Sequence, residues 1–188
     1  MANKSAVGYY EPVDVDLKNP VTAAFLAFLW PGAGHMYQGR YGKGLLFMIC
    51  ILSTFVFGYT IGGGKVVYAA FKKPDIRYAY FFQAPVGLPA LPALLQSGRA
   101  ARQAEPLFGG FMAPPHVPEH AQDFDELSKW HEDLGFYFEL GTVYTIVAGM
   151  LNVLAIYDAA AGPMYPPPPP KDDEAPTDKS TENDDSTP

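Results

Sequence analysis

Residues 19–64 read NPVTAAFLAFLWPGAGHMYQGRYGKGLLFMICILSTFVFGYTIGGG, and this stretch decides the fold. Its first 21 residues, Asn19 to Gly39, contain no Asp, Glu, Lys or Arg. The 21 residues from Gly44 to Gly64 are also uncharged, with a core of Leu, Phe, Ile and Val. About 20 apolar residues are needed to cross a bilayer as a helix, so the pattern predicts a membrane helical hairpin with its turn at Arg40 to Lys43. Pro20 suits a first helical turn, where a missing N–H costs little. Pro31, followed by Gly32 and Gly34, interrupts the first segment. That helix is therefore expected to kink at Pro31 and run on to Tyr37, or to end early in an irregular corner.

Working outward, the chain divides into six regions. Residues 1–18 are a polar N-terminal segment, and 19–64 the hairpin. Residues 65–102 hold a basic loop (Lys65, Lys72, Lys73, Arg77) and a third apolar segment, Tyr78 to Leu95, bent by Pro85, Pro89 and Pro92. Residues 103–137 form an acidic loop with seven acids and one lysine. Within it Phe124, Leu127, Trp130 or His131, and Leu134 recur at helical spacing, which predicts a short amphipathic helix anchored at the interface by Trp130. Residues 138–162 are a fourth span, with Glu139 near its entry, Asn152 inside and Asp158 at its exit. Residues 163–188, with Pro166 to Pro170 and seven acids, cannot bury enough apolar surface to fold. The expected class is an all-α integral membrane protein with about four transmembrane helices, an N-terminal helical hairpin and a disordered C-terminal tail.

Composition narrows function mainly by exclusion. The net charge of −7 in 188 residues comes mainly from the long loop and the tail. No basic face with interleaved aromatics invites nucleic acid. The single cysteine, Cys50, lies in an apolar run and cannot form an intrachain disulfide. The late, acid-preceded first apolar run is unlike a cleavable signal. With four spans the termini and the 65–77 loop share eight Lys and Arg against five opposite. Excess Lys and Arg marks the cytoplasmic side, which places both termini there and the 40–43 turn on the other side.

The corner carries a pattern of its own: Lys18-Asn19-Pro20, an apolar run, then Pro31-Gly32-x-Gly34-x-x-Tyr37-x-Gly39-x-x-x-x-Gly44 and a second apolar run. It resembles the two-transmembrane-segment domain family over about 45 residues. The wider layout, with its late LNVLAIYDAAAGP stretch, is similar to uncharacterised bacterial membrane proteins. The resemblance implies a fold for the hairpin, a bacterial inner membrane and no established chemistry. Gly39-Arg40-Tyr41 departs from the Asp-Arg-Phe-like motif of some animal members, and with it from any receptor-like role.

The candidate residues follow from these readings. Pro31, Gly32, Gly34, Tyr37, Gly39, Arg40, Lys43 and Gly44 form a structural corner, with Arg40 and Lys43 placed to meet lipid headgroups. Gly58 and Gly62, and Gly141, Thr145 and Gly149, are small residues at four-residue intervals that suit close helix packing. The Gly62-Gly63-Gly64 run equally serves to end its helix. Asn152 is a helix-to-helix hydrogen-bonding residue. His116, His120 and His131 share a loop with several acids, but its prolines argue against a helical zinc pair. Neither a Walker spacing nor a nucleophile elbow is present. No catalytic, metal or cofactor residue is assigned. Membrane lipids are the expected partners, with a protein partner or a second copy of the chain meeting the spans. The expected function is a non-enzymatic membrane scaffold or accessory subunit; the alternative is a small transporter or channel component acting as an oligomer.

Overall fold

The computed structural model describes residues 18–71, 76–116 and 125–162. The expectations for residues 1–17 and 163–188, and for Lys72, Lys73, His120 and Phe124, lie outside the described residues. All described residues fall in one unit, residues 15–163, and their regular structure is helical throughout.

Helix α1, Pro20–Leu29, is capped by Asn19, whose Oδ1 accepts from the Val21 and Thr22 N–H groups at 3.0 and 3.2 Å. It ends where the residue before a proline avoids helical angles: Trp30, ahead of Pro31, is extended at φ −144° and ψ 124°. Ten residues make a rod of about 15 Å. Gly32, at φ +82°, then turns the chain back into α2, Ala33–Tyr37. Gly34 lies so close to α1 that a Cβ there would sit 2.1 Å from the Ala23 carbonyl oxygen. Lys18 Nζ donates to the Tyr37 carbonyl at 2.7 Å. The pair α1–α2 therefore returns to the end at which it starts, and the first apolar segment is not a single rod to Tyr37.

Helix α3, Tyr41–Ile61, leaves that same end and runs for 21 residues, about 31 Å. Gly62 caps it, and Gly63 and Gly64 at φ +61° and +73° turn the chain away. The third apolar segment is not one helix either. It consists of α4, Tyr78–Gln83, two 3-10 turns at Ala84–Val86 and Leu88–Ala90, and α5, Leu91–Ala100. Each proline costs a helical hydrogen bond, and Gly87 between the turns takes φ +86°. Tyr80 Oη donates back to the Ala90 carbonyl at 3.0 Å. Gln96 donates to the carbonyls of Leu107 and Phe111, and the Phe111 ring lies 5.5 Å from that of Tyr59, near the end of α3. This second pair thus also enters and returns, from the opposite end of α3.

Helix α6, Glu126–Leu134, starts at Asp125, whose carboxylate accepts from the Leu127 N–H at 3.1 Å. The expected interfacial anchor faces inward: Trp130 is buried, 5.8 Å from the Tyr68 ring, with Lys65 over its face at 4.7 Å. Helix α7, Phe136–Ala161, is about 39 Å long and runs antiparallel to α3. Gly58 faces Gly141, Tyr144 and Thr145, where an added Cβ would come within 2.7–2.9 Å of each. Gly149 lies against α4, where a Cβ would stand 1.9 Å from the Phe82 carbonyl oxygen.

Candidate functional site

Helix α7 is the spine on which His35, Gln38, Arg77, Gln83 and Asn152 converge. At its last turn Asp158 gathers the corner. His35 Nε2 lies 2.7 Å from Asp158 Oδ2, Lys43 Nζ 2.7 Å and Arg40 Nη2 3.2 Å from the same carboxylate. Gln38 Nε2 donates to the Ala159 carbonyl at 2.7 Å, and Arg40 Nη1 to Gln38 Oε1 at 3.3 Å. The sequence arithmetic placed the 40–43 turn opposite the chain's two ends. The structure instead sets Arg40 and Lys43 beside the end of α7 and Tyr37 beside Lys18, because α1–α2 doubles back. His35 is fully buried, and burial lowers its pKa against the pull of Asp158. Its Nε2 meets the carboxylate, and Nδ1 has no hydrogen-bond partner among the described residues.

Farther along α7, Asn152 joins the two doubled-back pairs. Its Nδ2 donates to the Ala27 carbonyl at 3.0 Å and to the Pro85 carbonyl at 2.8 Å. Both acceptors sit where a short helix ends, and the last carbonyls of a helix lack intrahelical donors. One carboxamide therefore serves both tips. The tips also touch directly: a Cβ on Gly87 would lie 2.1 Å from the Phe28 carbonyl oxygen and 2.6 Å from that of Leu29. Only a glycine allows both this approach and this backbone angle.

Toward the start of α7, Gln83 Nε2 donates to Thr145 Oγ1 at 2.8 Å and to the Val66 carbonyl at 3.1 Å. Arg77 Nη2 donates to the same carbonyl at 3.1 Å and to Thr142 Oγ1 at 2.9 Å. The guanidinium lies between the rings of Tyr68 and Phe138, 4.8 and 5.2 Å from their centroids. Burial lowers its pKa from the usual arginine range.

Of the corner residues read from the sequence, Gly32, Gly34 and Gly44 are contact positions. A Cβ on Gly32 would stand 2.1 Å from the Gly44 carbonyl oxygen. Tyr37 lies beside Lys18, and Pro31 is fully buried at the turn. Gly39 turns the chain at φ +79° with nothing within 4 Å of an added Cβ. Gly62 ends α3 and also meets Gly141, whose added Cβ would be 2.8 Å from the Gly62 Cα. Among the described residues no three His, Cys, Asp or Glu side chains are grouped as metal ligands. His131 lies 3.6 Å from Glu139 and on the Phe138 ring.

Gln38, Arg77 and Gln83 do not stand out in the sequence as parts of a site, and Asp158 stands there only at a span exit. One signal was available: an acid in the last turn of a helix opposes the macrodipole, so Asp158 needed cations from elsewhere.

The described chain is thus an all-helical protein with two helices, α3 and α7, long and apolar enough to cross a membrane. It belongs to a family of unknown function, DUF6677, whose pattern matches residues 22–171. No curated protein and no solved structure matches it.

Proposed function

We propose that the chain is an integral membrane protein and a non-enzymatic scaffold or accessory subunit. In this reading α3 and α7 span the bilayer. The pairs α1–α2 and α4–α5 are re-entrant, dipping from opposite faces and meeting at Asn152 and Gly87. The supporting observation is an inverted distribution of side chains. Gln83, Gln96, Thr145, Asn152 and His35 are buried, while Leu46, Ile49, Val56, Val143 and Leu154 are exposed. Only 22% of the apolar stretch of α3, and 39% of that of α7, is buried inside the molecule. A core helix of a water-soluble protein hides its apolar surface; these helices present it, which suits lipid or another copy of the chain. Short helices joined by irregular backbone are tolerated at membrane depth where protein covers them, and the Asn152 and Gly87 contacts provide that cover. The corner resembles the two-transmembrane-segment family, but here it turns back on itself rather than linking two full spans.

Thiol labelling in sealed vesicles tests this reading. In a Cys50→Ser background, Ser5→Cys and Tyr41→Cys should react with a membrane-impermeant maleimide from one side, and Lys65→Cys from the other. Four full spans would instead place Ser5→Cys and Tyr41→Cys on opposite sides, and a non-embedded chain would react at all three. The doubled-back topology divides the basic residues almost evenly between the faces, so labelling, not charge, fixes which side is cytoplasmic. Wild-type Cys50, exposed midway along α3, should resist the same reagent until detergent is added. For the scaffold role, co-purification with the full chain should recover a partner that is lost when residues 163–188 are removed. Failure to recover any partner with the full chain would count against that role.

The second reading, a small transporter or channel component, is favoured by the polar atoms buried along α7.

A further inference from the structure

Trp130, the expected interfacial anchor, faces inward, but an apolar tip at the same end of the molecule faces out. Just past α5, Leu107, Phe108 and Phe111 are 36, 75 and 42% exposed. The tip is held in place. Gln96, buried on α5, donates from Nε2 to the Leu107 and Phe111 carbonyls at 2.6 and 3.0 Å and accepts from the Leu107 N–H at 3.0 Å. The tip's backbone is also strained. Phe108 and Met112 take φ +51° and +56°, a region that bulky side chains rarely enter. Glycine suits such angles, and Gly109 and Gly110 beside Phe108 adopt them as well. A carboxamide with three hydrogen bonds thus holds an unfavourable backbone whose result is an outward phenylalanine. Strain of this kind persists only where the structure around it over-determines it, and it gathers at sites that grip something.

We propose that the 107–111 tip is a membrane-interface anchor: Phe108, with Leu107 and Phe111 beside it, inserts among lipid headgroups and upper acyl chains and fixes the depth of the α4–α5 pair. This rests on the spanning reading above. Depth is the first argument for lipid as the occupant. The Phe111 ring lies 5.5 Å from that of Tyr59, which stands two residues before the end of α3, a rise of about 3 Å. With α3 spanning, the tip lies at the boundary of the apolar layer. Polarity is the second. Helix α5 exposes Leu91, Leu94 and Leu95 and is followed by the exposed Arg102, while Arg99 in its last turn donates from Nε to the Glu105 carbonyl at 2.7 Å. An apolar helix face that ends in arginines suits a helix leaving the acyl layer, because the long side chains reach polar headgroups. The third is company. Tyr78 at the start of α4, and Phe136 and Tyr137 at the start of α7, are exposed at this same end. Exposed aromatics on separate elements at one level match an interfacial belt, which a protein partner on one face does not require.

The test uses the full chain in phosphatidylcholine vesicles, in a Cys50→Ser background, with one environment-sensitive fluorescent label. The label sits at Phe108→Cys, at Glu105→Cys beside an intact Phe108, or at Glu132→Cys on the exposed face of α6 as the aqueous control. Lipids spin-labelled high or low on the acyl chain quench from within the bilayer, and iodide quenches from water. The label at 108 should be quenched several times more by the high spin label than by the low one. Iodide should quench it several times less than the label at 132. Adding Phe108→Asp should raise iodide quenching at 105 several-fold; Phe108→Ser serves if that variant fails to fold. Iodide quenching at 108 equal to that at 132, in protein that passes the labelling test above, would overturn the anchor and leave the spanning reading standing. Stronger quenching by the low spin label would also overturn it, by placing the tip deep among the acyl chains. Unchanged iodide quenching at 105 in a folded Phe108 variant would overturn the role given to Phe108. Reaction at all three positions of the earlier test would overturn both the anchor and the spanning reading.

Discussion

The two doubled-back pairs solve one problem with different chemistry. Each must reverse a short helix inside the molecule, and each does so at a glycine of positive φ, Gly32 at +82° and Gly87 at +86°. The mouth of α1–α2 is held by charge: Arg40, Lys43 and His35 meet Asp158, and Lys18 meets the Tyr37 carbonyl. The α4–α5 pair is held by neutral groups: Tyr80, Gln83 and Gln96 bond to backbone carbonyls, and Gln83 also bonds to Thr145. The Asp158 carboxylate is partly exposed, whereas Gln83 is fully buried. Desolvating an ion costs far more than desolvating an amide. Ions therefore suit the wetter mouth, and carboxamides the covered interior. Arg77 is the exception, and two aromatic faces compensate part of its desolvation.

If the interior depends on close backbone approach, the largest losses come from adding atoms at its glycines. Gly149→Val would drive its side chain into the Phe82 carbonyl, which a Cβ alone already meets at 1.9 Å. We expect a loss of about 3 kcal/mol or more, as for severe overpacking, read as a fall in the detergent thermal midpoint or as failure to fold. Gly87→Ala adds backbone strain to its clash with two carbonyls and should behave likewise. A small effect of Gly149→Val would mean that α7 and α4 are not in contact, and a small effect of Gly87→Ala that the two tips are not.

Next in size is Asn152→Leu, which leaves the Ala27 and Pro85 carbonyls without their shared donor. Stranding a buried hydrogen-bonding group costs about 1–3 kcal/mol. Removing one donor here should loosen both pairs together. Hydrogen exchange should therefore rise in α1 and in residues 84–90 alike. A rise confined to one of them would break the claim that Asn152 joins the two.

At the mouth, Asp158→Asn should cost less, because Arg40 and Lys43 retain access to water. The expected loss is about 1 kcal/mol, near the upper range for exposed ion pairs, and added salt should shrink the difference between variant and wild type. His35 gives the pH dependence its sign. Its folded pKa lies below the ordinary 6.5, so the unfolded chain binds the proton more readily. The stability linked to a neutral His35 is full above about pH 6.5 and is lost as pH falls through the lower folded value. Thermal midpoints measured between pH 7.5 and pH 5 should fall in wild type and fall less in His35→Gln.

The outline was legible in the sequence where physics is local. The charge-free Gly44–Gly64 run became most of α3, and the Pro31-Gly32 break ended the first helix. The bend at Pro85, Pro89 and Pro92 was visible as a distortion. That it reverses the chain depends on distant partners, Ala90 for Tyr80 and Leu107 for Gln96, which no local pattern reveals. The same holds for Asp158, whose cations lie more than a hundred residues away in sequence. Trp130 was misplaced for a related reason: helical spacing identifies an apolar face but not whether lipid or Tyr68 covers it.

The smallest expected effect has the opposite sign and isolates what the interior glycines contribute. Gly98 lies in α5 with ordinary helical angles, and nothing stands within 4 Å of a Cβ added there. Glycine inside a helix costs about 0.5–1 kcal/mol relative to alanine, chiefly through the greater freedom of the unfolded chain. Gly98→Ala should therefore raise the thermal midpoint slightly, where Gly149→Ala lowers it. The two substitutions share one chemistry and a helical backbone, so their difference measures the contact alone. Equal shifts in both would show that Gly149 and Phe82 are not packed as described, and the neutral, close-packed character assigned to the interior would lose its basis.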